Sequence, residues 1–386
     1  MSLPNEVRIA CRVGLKSLRR RVGSAFVIVV GMTCVVSVTL SMLSLASGLA
    51  LATVAGGDSR HAIVLSHDVP FDDGTAMSRS AVALILNAPG IARGPDGQLL
   101  ASAEPMQWLP PAEGFAEGTL YLRGIGPQGV GVRPGFSIVS GRMFRTGAQE
   151  IIVGRGAESL FGLKVGSSVI MPNGEWPIVG EFSYKGGSIE SLLMADADTL
   201  MSAAAIPGYG SVLVTLKDAS DFDQFKRWLT TNPALNVIVE RQSEYLVRMA
   251  GQLTRFLATM AYFVGGLMAV GAVFGSIQIM YSAVESRTIE IATLRAIGYE
   301  PFPIAVSVLL EATLLSFIGG LLGSAIAWGF FNGDQAFNGA TVFRMHISGQ
   351  MVVAGLAWAV LLAVLGGLLP AIRAARLPVA EALRYT

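Results

Sequence analysis

Few side chains in this chain of 386 residues are suited to acid–base or metal chemistry. Two of its three histidines, His61 and His67, lie near the acids Asp68, Asp72 and Asp73. A metal site would need such groups at the spacing of a known ligand set, and no such spacing is present. We therefore interpret this segment as a solvated loop at the base of a domain and expect no metal in this chain.

The motifs of phosphate, ester and peptide chemistry are absent as well. There is no Gly-Lys dipeptide, so the phosphate-binding loop G-x-x-x-x-G-K-[ST] does not occur. The nucleophile motif G-x-S-x-G and the zinc motif H-E-x-x-H do not occur either. We expect no catalytic residue and no cofactor in this chain. A net charge of +1 also gives no reason to expect nucleic acid as a partner.

One acid, Glu311, interrupts a long apolar run. A charged group inside a membrane span is costly to bury, so it indicates a functional site. One interpretation is a proton or ion relay, as in a proton-coupled transporter. The other is an acid near the cytoplasmic interface that pairs with a neighbour or with lipid headgroups. We favour the second interpretation because no other span offers an acidic partner for a relay.

The segment 285–300, ESRTIEIATLRAIGYE, has the pattern of a short amphipathic helix that ends at a glycine and is followed by proline. Its charges are mixed rather than basic, which argues against a helix that lies on lipid. Docking into the groove of a cytoplasmic protein fits better, with Glu290 and Arg287 on the polar side and Ile291, Leu294 and Ile297 at helical spacing.

Composition predicts a polytopic membrane protein. Hydrophobic residues make up 52% of the chain and charged residues only 14%, against about 25% charged residues in a typical soluble domain. The deficit lies in four apolar runs, each long enough for the roughly 20 residues that cross a bilayer. These runs are Val22–Gly57, Phe256–Val284, Pro301–Gly333 and Ile347–Ile372. A cleaved signal peptide is the alternative for the first run, but its apolar core would be far shorter.

Basic residues at both ends of the chain predict its orientation. Arginine and lysine dominate the arm 1–21 and the tail 373–386. Short segments rich in these residues stay in the cytoplasm. We therefore expect both termini and the segment 285–300 to be cytoplasmic, and the long segment between the first two spans to lie outside.

The predicted fold class is an α-helical membrane protein with four transmembrane helices and an α/β extracytoplasmic domain inserted between the first two. The first run exceeds a bilayer's thickness, so we expect it to form half of an outward stalk; a loop after Leu49 is the alternative. The predicted parts are an arm 1–21, a first span with stalk 22–57, an outer domain 58–242 with a strand-rich subdomain at about 136–200, a stalk with second span 243–284, an inner helix 285–300, a third span 301–332, an outer loop 333–346, a fourth span 347–372 and a tail 373–386.

Short β-branched segments bounded by turn residues predict the strands of the outer domain. The predicted strands are Ala62–Ser66, Thr119–Ile125, Glu150–Val153, Ser168–Met171, Trp176–Phe182 and Ser211–Leu216. Two predicted helices are Ser78–Asn87 and Phe222–Thr230, and the stretch 211–241 has the pattern strand, helix, strand. Segments rich in glycine and proline at 94–97, 110–118 and 124–135 are predicted connections.

Small residues recur at four-residue spacing within the predicted spans. The clearest pairs are Gly271 with Gly275 and Gly319 with Gly323. Such pairs let membrane helices approach closely, so we expect them at helix-packing seams.

Several of these stretches resemble one family. The segment from Glu285 to Gly298 is similar to the coupling helix of the MacB/FtsX-like permeases of ABC transporters. The tail 370–384 resembles the family's C-terminal signature, and Glu311 followed by the 319–323 glycines resembles its third span. The stretches that resemble its periplasmic core are Gly141-Arg142-Met143-Phe144, Glu150-Ile151-Ile152-Val153-Gly154, Val165-Gly166 and Val179-Gly180-Glu181-Phe182.

The resemblance implies a permease subunit of a type VII ABC transporter, in the bacterial inner membrane with its large domain in the periplasm. It implies a second permease subunit, expected to be an identical copy, and two copies of a separate cytoplasmic ATPase chain that would bind ATP and Mg.

The 285–300 helix would then contact the ATPase and transmit its closure to the periplasmic side, with Arg287 and Glu290 as candidate contacts and Leu294 and Ile297 as packing. The residues that the resemblance assigns to this coupling are Glu285, Arg287, Glu290, Ile291, Leu294, Arg295, Ile297 and Gly298. On this hypothesis Arg287→Glu uncouples ATP hydrolysis from function without preventing membrane insertion. The alternative is that these residues only cap and solubilise a loop.

Two functions remain open within this resemblance. The first is export or extraction of a lipid, lipoprotein, peptide or small-molecule cargo, often with a periplasmic adaptor of the membrane-fusion class and an outer-membrane channel. The second is signalling, in which the permease activates an extracytoplasmic enzyme such as a cell-wall hydrolase. The length of the outer domain favours export. In either case membrane lipid surrounds the spans.

Overall fold

A computed structural model describes residues 22–109, 119–171, 173–337 and 341–377. The basic arm, the predicted connection 110–118 and the end of the tail lie outside these residues. The chain divides into two compact units. We call residues 22–47, 255–334 and 345–377 the membrane unit, and residues 48–254 and 335–344 the α/β unit.

Four helices are long and apolar enough to cross a membrane. They are α1 (Val22–Val54), α6 (Gln242–Glu285), α8 (Pro301–Phe331) and α9 (Gly349–Ala375). A fifth helix, α7 (Thr288–Ala296), joins α6 to α8. Together with the α/β unit between α1 and α6, these helices confirm the predicted fold class. With 33 and 44 residues, α1 and α6 exceed the roughly 20 residues that a bilayer needs. The stalk itself stays a prediction.

The α/β unit contains eleven strands and four helices between α1 and α6 in its described part. In chain order they are β1 (His61–Ser66), α2 (Arg79–Leu86), β2 (Ala101–Glu104), β3 (Met106–Leu109), β4 (Leu120–Ile125), β5 (Ser137–Gly141), β6 (Ile151–Gly154), α3 (Arg155–Phe161), β7 (Ser168–Met171), β8 (Gly174–Ser183), β9 (Leu193–Asp196), α4 (Ala197–Ala203), β10 (Ser211–Thr215), α5 (Phe222–Thr230) and β11 (Val237–Arg241).

One sheet is antiparallel and has the strand order β11-β1-β10-β2. Every residue of its two central strands, β1 and β10, is buried. Their sequences, HAIVLS and SVLVT, are correspondingly apolar without the alternation of a strand that has one wet face. Helix α5 packs its buried Phe222, Phe225 and Leu229 into the same core. That spacing of three and four residues places all three side chains on one helix face.

The second sheet has seven strands and is larger than the predicted strand-rich subdomain. Its order is β3-β4-β9-β6-β8-β5, with β7 paired to β8. It therefore begins at Met106, not at about 136. The predicted boundary was wrong because β3 (MQWL) is too short and too mixed to show a strand pattern. The strand β5 (SIVSG) was also missed, since it is largely exposed and carries no apolar alternation.

The predicted outer loop 333–346 contains a hairpin. Its strands are β12 (Gln335–Phe337) and β13 (Val342–Arg344). Within the α/β unit, the ring of Phe337 meets that of Phe161 edge to face, with 6.1 Å between the ring centres. The Val342 backbone N–H donates to Ser191 Oγ at 2.8 Å. Ser159 Oγ also donates to Gln335 Oε1 at 3.0 Å, so the hairpin is held by an aromatic contact and by hydrogen bonds to Ser159 and Ser191.

The glycines of two core motifs allow β5 and β8 to approach closely. A Cβ atom built on Gly180 would lie 2.1 Å from Arg142 O, and one on Gly141 would lie 2.3 Å from Val179 O. Gly141 also has a φ of +73°, which disfavours other residues. The same crossing carries Arg142, whose guanidinium donates two hydrogen bonds of 2.7 Å to Glu150. That guanidinium lowers the pKa of Glu150 to about 2.

His61, one of the residues considered for a metal, is a buried structural group. Its ring Nδ1 lies 2.9 Å from Gln242 Oε1, and the residue is 1% exposed. Burial lowers the pKa of His61 below its ordinary value, although the hydrogen bond to Gln242 opposes this shift. The folded α/β unit therefore holds this imidazole neutral.

The lowered pKa of His61 predicts an acid-sensitive fold. Between the lowered pKa of the folded state and about 6.5, the unfolded chain binds a proton that the folded chain does not, so stability falls as the pH falls. We expect the unfolding temperature of the full chain to drop between about pH 7.5 and 5.5, and His61→Gln to reduce that drop. His67→Gln, at an exposed position, is the matched control. If the unfolding temperatures of the unmodified chain, His61→Gln and His67→Gln depended equally on pH, this account would be contradicted.

Candidate functional site

The helix α7 begins where α6 ends and stops at a chain reversal. Gly298 follows it with a φ of +104°, a conformation that favours glycine. Pro301 then opens α8 at a position where the missing backbone N–H costs nothing. The end of the short helix is therefore fixed by two sequence features, a glycine and a proline.

A buried ion pair joins the start of this helix to α8. The guanidinium of Arg287 donates from Nη1 to Glu311 Oε2 at 2.9 Å and from Nη2 to Oε1 at 3.1 Å. The two side chains are only 10% and 6% exposed. Two parallel hydrogen bonds between a guanidinium and a carboxylate form the most specific geometry available to an ion pair. Glu311 is thus a paired acid.

An apolar cluster from five helices shares Met280, Val284, Ile291, Ile304 and Val308 with the lining of a cavity at this ion pair. The buried members of the cluster are Ile28 on α1, Met280 and Val284 on α6, Ile291 on α7, Ile304, Val308, Ala312 and Leu315 on α8, and Ala371 and Ala374 on α9. This cavity of about 40 Å³ lies beside the pair, with Met280, Val284 and Leu294 in its lining. A displacement of α7 would therefore disturb side chains of all four spans.

The face of α7 that points away from the buried Ile291 is exposed. Glu285 is exposed, and so are Ile289 at 52% and Ile297 at 72%. Glu290 is also exposed, but it lines the cavity beside the ion pair. Leu294 and Arg295 are half-buried, and Arg295 Nη1 donates to Tyr299 O at 3.4 Å. Exposed isoleucines beside an acid are the type of surface that a partner covers. Sequence reasoning missed Ile289, although its spacing of eight from Ile297 places both on one helix face.

The expected position of Arg287 on the polar side of this helix is wrong. Its side chain faces inward because Glu311 offers it a bidentate partner in the core. The Arg287→Glu variant would therefore bring two carboxylates together in a buried site. It tests the stability of the membrane unit and not a contact with another protein.

The two small-residue pairs lie in different surroundings. A Cβ atom on Gly319 would lie 2.7 Å from Val29 O, and one on Gly323 would lie 2.6 Å from Thr33 O. These glycines therefore let α8 contact the backbone of α1, and Thr33 Oγ1 donates to Gly319 O at 3.1 Å. A Cβ atom on Gly271 or Gly275 would meet nothing within 4 Å. That pair is exposed and takes no part in packing among the described residues.

Single replacements in the ion pair should be more harmful than removal of both charges. Arg287→Met leaves a buried carboxylate without its cation, which costs about 3–5 kcal/mol. The double variant Arg287→Met/Glu311→Leu leaves no buried charge and should lose much less. Equilibrium unfolding in mixed micelles measures this order. Arg344→Met, at an exposed position, is the control. A double variant less stable than either single variant would contradict the prediction.

Two family models match the chain. The model described as MacB-like periplasmic core domain matches residues 23–232. The model described as FtsX-like permease C-terminal matches residues 262–379, which include α7, Arg287 and Glu311. The two matches together take in most of the α/β unit and the last three spans.

Curated relatives carry the same family's names. The "Uncharacterized ABC transporter permease YknZ" of Bacillus subtilis is 33% identical over 135 residues, 35% of this chain and 33% of that protein. A macrolide export ATP-binding/permease protein, MacB 1/2 of Paracoccus denitrificans, is 25% identical over 401 residues, 97% of this chain and 58% of that protein. The pyoverdine export ATP-binding/permease protein PvdT of Pseudomonas syringae is 27% identical over 245 residues, 58% of this chain and 36% of that protein. In each case the match spans less than two thirds of the relative.

Among solved structures, the crystal structure of the extracellular domain of the ABC-type transporter YknZ from Gram-positive bacteria matches with a TM-score of 0.35 and 16% identity. That match covers 47% of this chain and 99% of the other. The family matches, the four membrane-spanning helices and the intervening α/β unit lead to one conclusion: this chain belongs to the MacB/FtsX-like family of ABC transporter permeases, and it is a membrane protein with an extracellular domain.

Proposed function

We propose that the chain couples ATP hydrolysis in a separate ATPase chain to a conformational change of its extracytoplasmic domain, and that this change exports or extracts cargo. The observation that carries the proposal is the buried Arg287–Glu311 pair at the start of α7. A helix that has one face exposed to a partner and the other fixed to the core is able to transmit a displacement. Export accords with the names of the relatives MacB and PvdT, which are macrolide and pyoverdine export proteins.

In the proposed arrangement α7 faces the cytoplasm and rests on the ATPase. The ATPase, present in two copies, binds ATP and Mg, and this chain supplies no catalytic group. Closure of the two ATPase copies displaces α7, and the ion pair passes the displacement to α8. A difference of a few kcal/mol in contacts between the two states is sufficient for such coupling.

The contact with the ATPase is assigned to the exposed face of α7. Glu290 provides its charge, and Ile289 and Ile297 provide its apolar surface. Because Ile289 and Ile297 are exposed and lie outside the lining of the cavity at the ion pair, changing them should leave the membrane unit intact. Variants on the exposed face can therefore test the contact by itself. A mutation in the buried ion pair cannot, because it would also destabilise the fold.

Co-purification tests this contact. We expect an ATPase subunit to accompany the tagged chain when it is extracted from its native membrane in mild detergent and identified by mass spectrometry. Ile289→Asp/Ile297→Asp should lose the ATPase and keep the wild-type unfolding temperature. Asp223→Arg, an exposed reversal on α5, is the control and should retain the ATPase. Recovery of the ATPase with both variants would remove α7 from the contact.

The same purification separates the two candidate roles. A periplasmic adaptor or an outer-membrane channel beside the ATPase supports export. A cell-wall hydrolase in their place supports signalling. Absence of any ATPase, under conditions in which related complexes survive, would refute the coupling proposal itself.

A second copy of this chain is proposed to pack against the open glycine pair of α6. Gly271 and Gly275 have room for a neighbouring helix, whereas Gly319 and Gly323 already have one. Phe274 and Leu267, 68% and 67% exposed, flank this surface. In a membrane, burial of apolar side chains gives no driving force for helix association. Close packing at small residues is a main contribution instead.

Substitution of this pair should separate the copies. Gly271→Leu/Gly275→Leu blocks close approach and is expected to convert a dimer into monomers. Gly329→Leu, at an exposed glycine of α8 that also has nothing within 4 Å, is the matched control and should remain dimeric. Mass photometry in lipid nanodiscs gives both results. A dimer that survives the double substitution would place the interface elsewhere.

A further inference from the structure

The α/β unit contains a cleft that the proposed coupling does not use. Its volume is about 310 Å³, within the size range of sites for small organic molecules. Apolar side chains from the ends of α1 and α6 and from the two sheets form most of its wall. Among them are Leu49, Ile63, Met106, Leu213, Leu246 and Leu253. Leu253 is 38% exposed, so this wall is open to a ligand.

The polar part of the cleft is a network of buried ion pairs. Arg123 donates to Glu104 at 3.0 Å and also pairs with Asp72, and Arg133 lies 2.7 Å from the Glu104 carboxylate. Burial alone would raise the pKa of Glu104, but Arg133 and Arg123 lower it below its ordinary value. Two guanidinium groups are thus matched by two carboxylates, and Tyr245 donates to Asp72 at 2.6 Å.

A third carboxylate, Asp73, leaves the lining of the cleft with one negative charge in excess. Asp73 is exposed and makes no ion pair or hydrogen bond within the described parts of the α/β unit. The ring of Tyr121 lines the same cleft. Burial raises the pKa of Tyr121, and the charges of Asp73 and Asp72 raise it further. The phenol therefore stays neutral beside these acids.

From this arrangement we propose that the cleft binds an amphipathic cation. The apolar body of the ligand lies against the aliphatic wall, and its positive group lies near Asp73 and the Tyr121 ring. A carboxylate and an aromatic face both attract cations, and an apolar wall favours a ligand that is hydrophobic over most of its surface. An anionic amphipath would meet the excess negative charge instead. The inference rests on the proposed function, for which it names a class of cargo.

The test uses the full chain alone in phosphatidylcholine nanodiscs, with empty nanodiscs as background. Radiolabelled tetraphenylphosphonium is the probe, and scintillation proximity measures its binding. The neutral analogue triphenylphosphine oxide should compete at least about tenfold more weakly than unlabelled tetraphenylphosphonium. Equal competition by the neutral analogue would show an apolar cleft without charge selectivity and would overturn the proposal.

Variants locate the charge and the ring. Asp73→Asn should weaken binding about three- to fivefold, the range of a solvent-exposed ion pair, with no change in unfolding temperature. Asp223→Asn, an exposed acid outside the cleft, is the matched control. Tyr121→Phe should keep most of the affinity because the ring remains, and Tyr121→Leu should lose it. Unchanged binding in Asp73→Asn would overturn the assignment even if Tyr121→Leu failed to fold.

This experiment is independent of the ATPase. Saturable binding of the cation without any ATPase partner in the native membrane would refute the coupling proposal and leave the cleft assignment standing. An ATPase partner without saturable cation binding would refute the cleft assignment and leave the coupling proposal standing.

Discussion

The membrane unit depends on a buried ion pair between Arg287 and Glu311. Taking a carboxylate and a guanidinium out of water costs several kcal/mol for each ion, and their attraction repays this only when the geometry is good. The bidentate contact supplies that geometry. Since neither group is well placed without the other, the start of α7 and the middle of α8 have one favourable register. An apolar contact at the same place would tolerate sliding by a fraction of a turn.

The glycine seam between α1 and α8 adds a second constraint of the same kind. Lipid chains are as apolar as leucine, so helices in a membrane associate through close packing and hydrogen bonds. Gly319 and Gly323 approach the α1 backbone closely, and Thr33 donates a hydrogen bond to Gly319. These contacts fix the position of α8 against α1. In the proposed coupling, the helix that would receive the displacement of α7 is therefore itself anchored to α1. Movement of α8 would have to carry α1 with it.

The spans and many strands of the α/β unit could be predicted from sequence because each has a local signal. A long uncharged run fixes a span, and a β-branched segment such as β1 fixes a buried strand. Strands without such a signal, including β3 and β5, form because neighbouring strands offer them hydrogen-bond partners. Their pairing is a property of the whole sheet, and no window of residues around them reveals it.

The partner of Glu311 was missed for a different reason, although a signal for it was present. Arg287 lies 11 residues before Gly298, and Glu311 lies 13 residues after it. A chain that reverses at this glycine brings positions at similar distances on either side to the same level. Treating the inner segment as an isolated amphipathic helix assigned every charge to its outer face. If the chain reversal at Gly298 is considered first, Glu311 lies at the level of Arg287. A pairing of the two residues then follows, because a buried charge requires a partner.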